Sequence, residues 1–330
     1  MTGTELEDMI SNELVTSNSL VGYRQMAENI ALRYGVIVAK ERVRCMLKRL
    51  DPEGVSDRSK NVIKRRVYET LGPNDVYHID GNDKLKKWGL CIHGCVDGFS
   101  RKLLWLKVAT TNNDPLVIAN YYLEHIKTYK IVPNLIRVDR GTENVFCDDL
   151  QVFFTGVADS VQYATSTRNQ RIEAFWSRLK KFRLVWWISL FKGMERNGLY
   201  KSYLDTHVEV LIYIFLPIIQ RELNEFSCIW NTRHVRQSAS TPGGKPDILF
   251  TMPETVGFNK QGFKVDDSDV NIAEQVIGIT HCPVWKNKDL YELLECYVNI
   301  HGIHRSVCVE DGIDLYAKLL SFLQNDGFEI

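Results

Sequence analysis

The stretch V-Y-H-I-D-G-N, Val76–Asn82, decides how the rest of the chain is read. It has the texture of a strand, and it runs onto a single carboxylate, Asp80. Two later segments supply partners for it. Leu135–Val138 is a second short apolar run that leads into Asp139 and then R-G-T-E-N, and a helix opening at Asn169-Gln170 carries Glu173 one turn in. Acids delivered by strand, strand and helix are what a two-metal phosphodiester site requires. Two divalent cations about 3.5–4 Å apart need carboxylates from several directions and one between them. Singly, each acid has a plainer reading: Asp80 ends a strand, Asp139-Arg140-Gly141 forms a turn, and Glu173 suits the dipole of a helix start. The metal-site reading rests on the three together.

The surroundings of these acids read as α/β. After the strand at 76–80, residues 88–96 and 102–109 form a hairpin around Asp97-Gly98, so Asp97 is a turn residue and not a rival ligand. A helix follows over 115–129, then the strand at 135–138, a helix over 145–154, a short strand at 161–163 and a long helix over 170–191. Ile172, Phe175, Leu179, Phe182 and Trp186 recur at spacings of three and four and form the buried stripe of that last helix. Glu173 lies off the stripe, with Ser177, Lys180 and Lys181 on its own side. Three antiparallel strands followed by alternating helix and strand make a mixed sheet with helices on its faces. An apolar helix over 205–223 and a further helical segment over 226–236 complete this part.

The N-terminal region has another character. Residues 1–20 are acidic and show no clear period. Residues 23–34 and 40–50 are helical, and Gly35 breaks the pattern between them, which is a helix-turn-helix signature. Lys40, Arg42, Arg44, Lys48 and Arg49 stud the second helix, where phosphate and base contacts would lie. Asp51-Pro52-Glu53-Gly54 ends it and opens a linker toward the basic cluster Lys64-Arg65-Arg66.

The chain has 330 residues, is 45% apolar and 25% charged, and its net charge is zero. The charges are segregated: residues 24–69 carry twelve Lys/Arg against six Asp/Glu, residues 168–201 nine against two, and the stretch after Pro246 six against fourteen. Two basic segments suit phosphate surfaces despite the neutral total. The longest apolar run, 210–219, contains Pro217 and is about half of what spans a bilayer. No secretory signal is read at the N-terminus, and eight scattered cysteines without a C-x-x-C pair suit reduced thiols. These readings predict a soluble intracellular protein, with no membrane partner and no small-molecule substrate. Cys91, His93 and Cys95 alternate along a strand and read as buried side chains, while Cys296, His301, His304 and Cys308 form a looser set of metal-capable groups.

H-I-D-G-N-D at 78–83, D-G-F-S-R at 97–101, V-D-R-G-T-E-N at 138–144 and N-Q-R-I-E-A-F-W at 169–176 together resemble the integrase core of DDE-type transposases and retroviral integrases. They are most similar to animal integrase-core proteins related to transposable elements. The resemblance covers roughly residues 20–245, and the 33 residues between Asp139 and Glu173 match the interval usual in that superfamily. It implies a ribonuclease H-like core with a helix-turn-helix-like N-terminal region and a mostly helical C-terminal tail. The corresponding division is 1–70, 71–245 and an acidic 246–330 of unassigned role.

The resemblance further implies that Asp80, Asp139 and Glu173 are catalytic and hold two Mg²⁺ or Mn²⁺ ions, with Asp80 bridging. Asn144 and Gly141 shape the loop after the second acid. Asn144, Asn169, Gln170, Lys180 and Lys181 would lie toward DNA, together with Arg42, Arg44, Lys48 and Arg49. The implied activity is DNA cleavage and strand transfer by a nuclear, otherwise cytoplasmic, homo-oligomer. One departure is plain: retroviral-type integrases precede the core with a zinc-binding His/His/Cys/Cys module, whereas residues 1–75 here contain Cys45 and no histidine. Two alternatives stand beside this reading, a domesticated descendant that binds DNA without catalysis and a ribonuclease H-like nuclease.

Overall fold

The structure, a computed structural model, describes residues 2–57, 70–139, 141–163, 169–237, 242–278, 285, 287–305 and 308–330. The basic cluster Lys64-Arg65-Arg66 lies outside them. The chain divides into two compact units, Met1–Tyr68 with Ala174–Gly193, and Glu69–Glu173 with Met194–Ile330.

The first unit is helical: α1 (Gly3–Leu14), α2 (Tyr23–Tyr34), α3 (Lys40–Leu50) and α4 (Pro52–Asp57). α1 resolves the stretch that lacks a clear period, and its signal is a capping box. Thr2 Oγ1 accepts the Glu5 N–H at 3.3 Å, and Glu5 returns a carboxylate oxygen to the Thr2 N–H at 2.7 Å. Thr2→Ala is expected to cost about 1 kcal/mol in chemical denaturation. Leu6, Ile10, Met26, Ile30, Val43 and Leu47 form the core, with Phe182 packed against it. Gly35 closes α2 at φ 68°, a left-handed position that suits glycine. α4 stands where a linker is expected. Asp51 caps the Gly54 N–H at 3.0 Å and Pro52 takes the first helical position, so D-P-E opens a helix as well as ending one.

The second unit is built on β1 (Val76–Asn82), β2 (Cys91–Asp97) and β3 (Leu103–Ala109), followed by α5 (Pro115–Tyr129), β4 (Ile131–Val132), β5 (Leu135–Val138), α6 (Val145–Thr155), β6 (Val161–Tyr163) and the start of α7 (Gln170–Leu179). The five-stranded sheet runs β3-β2-β1-β5-β6, antiparallel across the first three and parallel from β1 to β6. This is the mixed, ribonuclease H-like sheet expected. Tyr77, Ile79, Cys95, Trp105, Tyr122, Ile126, Ile136 and Val138 belong to one buried cluster with residues of α5 and α6.

α7 passes into a π-helical segment, Lys180–Leu184, and then α8 (Val185–Arg196). The wider turn rotates the buried stripe. Ile172, Phe175 and Leu179 are buried as expected, but Phe182 and Trp186 are only half-buried, and Leu184, Trp187 and Phe191 take their place.

The next helix, α9 (Asp205–Thr232), is longer than the pattern indicates and contains Pro217. Burial of Val210–Leu216, Ile218 and Ile219 holds it through the proline. Its Gln220 and Asn231 amides also satisfy the outer backbone of the edge strand β3. Gln220 bonds Val108 N–H at 2.8 Å and Leu106 C=O at 3.0 Å, and Asn231 bonds Leu103 N–H at 2.8 Å and its C=O at 3.0 Å. The remaining elements are α10 (Pro246–Thr251), β7 (Phe263–Lys264), α11 (Asp267–Ile277), α12 (Lys288–Ile300) and α13 (Val309–Asn325). β7 pairs with β4, α11 packs on α5, and α12 and α13 pack on α9. Among the described residues, no helix is long and apolar enough to cross a membrane.

Candidate active site

β1 and β5 are parallel neighbours with rungs Val76↔Leu135, Tyr77↔Ile136 and His78↔Arg137. Carried two residues further, that register sets Asp80 beside Asp139; β1 runs two residues past Asp80, to Asn82, and Asp139 directly follows β5. Asp80 is half-buried and Asp139 exposed. The Asp139 carboxylate accepts the Asn144 Nδ2–H at 3.2 Å, and Asn144 is itself only 3% exposed at the end of a tight turn, Thr142–Asn144. Gly141 gives that turn room, since a Cβ there would lie 2.0–2.2 Å from the Glu143 carboxylate group.

The third acid is brought in by a latch. Asn169, 2% exposed, donates through Nδ2 to the Ile79 C=O at 3.3 Å, and its Oδ1 lies 2.5 Å from His78 Nδ1. Because the amide nitrogen is committed to the carbonyl, the oxygen faces the ring, and His78 Nδ1–H is the donor. Asn169 C=O also accepts the Glu173 N–H at 3.2 Å. The turn that carries Glu173 is therefore tied to the two residues preceding Asp80. Burial, with help from the Arg137 and Arg171 charges, pushes the His78 pKa down to about 3 against the Asn169 hydrogen bond, so the ring is neutral.

Asp97 is no rival ligand. It ends β2, fully buried, and accepts Asn74 N–H at 2.9 Å, Ser100 N–H at 2.7 Å and Ser100 Oγ–H at 2.6 Å, which fixes the hairpin turn. Burial nevertheless pushes its pKa up to about 6. Asp83 is occupied by Asn112 and Lys86.

Three carboxylates are the oxygen donors that hard divalent cations take. Among the described residues, however, no three His, Cys, Asp or Glu side chains stand close enough together to grip an ion. The acids are gathered by strand register and helix start, not as a closed ligand cage. The loose set Cys296, His301, His304 and Cys308 likewise forms no such group. His301 instead stacks on Phe322 at 4.3 Å, and the Cys308 sulfur caps the Asp311 N–H.

Two residues expected toward DNA are placed otherwise: the Asn144 and Asn169 side chains are buried and committed to the protein, because each holds an acid-bearing segment. Gln170 opens α7. In the first unit, Arg42, Arg44, Lys48 and Arg49 all point to solvent from α3. Arg44 pairs with Glu41 at 3.2 Å, and Arg49 pairs with Glu7 of α1. Lys180 and Lys181 are exposed on the π-helical segment of that unit.

Comparison with known proteins adds the family. No curated protein matches the chain. Among 31 similar chains of solved structures is one in the cryo-EM structure of a simian T-cell lymphotropic virus intasome in complex with PP2A regulatory subunit B56 gamma. That chain is 15% identical at a TM-score of 0.38, over 73% of this chain and 75% of its own. The integrase core domain profile matches residues 67–251, more than half of the chain and all of the segment that carries the three acids. The chain thus belongs to the integrase core domain family.

Proposed function

We propose that this protein is a metal-dependent polynucleotidyl transferase that cleaves DNA phosphodiesters and joins the resulting 3′ end to a target strand. The observation that carries the reading is the parallel register of β1 and β5, which sets Asp80 beside Asp139, with the Glu173 turn latched to His78 and Ile79. Asp80, Asp139 and Glu173 would hold two Mg²⁺ or Mn²⁺ ions, which when bound polarise the phosphate and activate water, then a 3′-hydroxyl, for in-line attack. The remaining residues act by placement. Asn144 orients the Asp139 carboxylate, and neutral His78 orients Asn169 and through it the start of α7. In this reading residues 1–70 engage DNA, 71–245 carry the chemistry and 246–330 are accessory. The protein works in the nucleus as a homo-oligomer, since joining paired ends needs more than one copy.

A second reading, a DNA-binding descendant without turnover, draws on one observation: the acid side chains do not converge into a metal-gripping group. The test incubates the full chain with Mg²⁺ or Mn²⁺ and labelled duplex bearing the repeats that flank its own locus. Joined product supports the transferase. Cleavage without joining identifies a nuclease of the same fold, and salt-sensitive binding without cleavage identifies the descendant.

A further inference from the structure

The turn after β1 contains a side-chain relay that the chemistry above does not use. Lys86, 46% exposed, places its Nζ 2.8 Å from Asp83 Oδ2. The other Asp83 oxygen accepts Asn112 Nδ2–H at 2.7 Å. Asn112 is 7% exposed and wedged over the strand, since a Cβ on Gly81 would lie 2.6 Å from its Nδ2. Gly81 directly follows Asp80, so the relay starts at the acid-bearing end of β1.

An exposed Lys-Asp pair three residues apart ordinarily contributes little and holds neither partner still. Here the acceptor is fixed by a buried amide, so the ammonium is pre-placed. It uses one donor on Asp83, and its exposed face leaves others to a ligand. Its hydrogen bond to Asp83 raises the Lys86 pKa, and the charges of Asp83, Cys91 and Glu143 add to this. Glu143 belongs to the turn that follows Asp139, while Asp83 follows β1 directly, so the geometry ties Lys86 to the Asp80 side through Asp83, Asn112 and Gly81. Lys87 is spent elsewhere, on Glu195 at 2.7 Å.

We propose that Lys86 contacts a backbone phosphate of duplex DNA at the candidate active site, and that Asp83 and Asn112 are positioning residues that hold its ammonium there. The proposal rests on the DNA reading above. It is tested by the affinity of the full chain for labelled duplex at several salt concentrations, without divalent metal so that nothing turns over. Lys86→Gln is expected to reduce the slope of log affinity against log salt by about 0.9, the loss of one phosphate contact, and Lys86→Arg to restore it. Asn112→Ser is expected to weaken binding alone but to add nothing in the Lys86→Gln background, because both changes remove one contact. A purely structural role for Asn112 would instead lower the melting temperature and leave the effect of Lys86→Gln whole. Salt slopes equal for wild type and Lys86→Gln, on a chain that binds DNA, overturn the proposal and leave the transferase reading standing. A chain that binds no duplex overturns both.

Discussion

Asp139→Asn is expected to lower metal-dependent DNA joining on the order of a thousandfold, equivalent to the several kcal/mol that a correctly held metal ion contributes to the transition state. The substitution isolates charge from shape. An asparagine at 139 still presents an oxygen that can accept the Asn144 Nδ2–H, now made at 3.2 Å, so the turn after β5 keeps its anchor. Residue 139 is exposed, so the melting temperature should stay at the wild-type value. Asn144→Ala reverses the experiment by keeping the carboxylate and removing what orients it. A drop of about 10- to 100-fold is expected, relieved in part at higher Mn²⁺. Initial joining rates for the three proteins, with melting curves alongside, decide the matter. Wild-type joining by Asp139→Asn would remove Asp139 from the site.

The elements that carry the three acids are legible in the sequence, because local pattern marks two short apolar strands and a helix start. An apolar run ends at Asp80, another at Asp139, and Glu173 follows a helix start. The hairpin at Asp97 was equally plain. What ties these segments together was not legible. The His78–Asn169 contact spans 91 residues, and nothing local to either residue announces it. Asn112 likewise gains its meaning only once folding lays it over Gly81. Other differences have local causes. A π-helical turn moved burial from Trp186 to Trp187, which a fixed 3.6-residue period cannot anticipate. α9 runs on past the expected end at 223 to Thr232, because Phe226, Ile229 and Trp230 are buried along the added turns. The capping box at Thr2 and Glu5 and the D-P-E start of α4 are local sequence signals that mark a helix even where apolar periodicity is absent.

The second unit is expected to lose about 2–3 kcal/mol of stability between pH 6.5 and 5, a large share of the ~5–15 kcal/mol of an ordinary domain. Three buried histidines set the sign. His78, His93 and His125 all have pKa values lowered to about 3, in each case chiefly by burial. Neutral rings are what the packing accepts: Trp105 Nε1–H donates to His93 Nδ1 at 3.1 Å, and His125 Nε2 lies 3.2 Å from the Tyr77 hydroxyl. A group whose folded pKa is depressed contributes stability above its unfolded pKa, near 6.5, and loses it as pH falls toward the folded value. Each ring therefore costs about 1.4 kcal/mol per pH unit once the unfolded chain binds its proton. Two carboxyls oppose them. Asp97, and Asp148 with the Tyr163 hydroxyl donating at 2.8 Å, have pKa values raised to about 6, chiefly by burial. Their stabilisation is complete below the unfolded pKa near 3.8 and lost as pH rises through 6, so acidification restores part of it. Three protons against two leave a net loss. Denaturation curves at half-unit steps from pH 7 to 4.5 measure it. His93→Gln, whose amide oxygen can still accept from Trp105, should flatten the profile below pH 6 by about 1.4 kcal/mol per unit. A variant profile parallel to that of the wild type would mean that His93 is protonated in the folded protein, and that its burial is less costly than the packing around it implies.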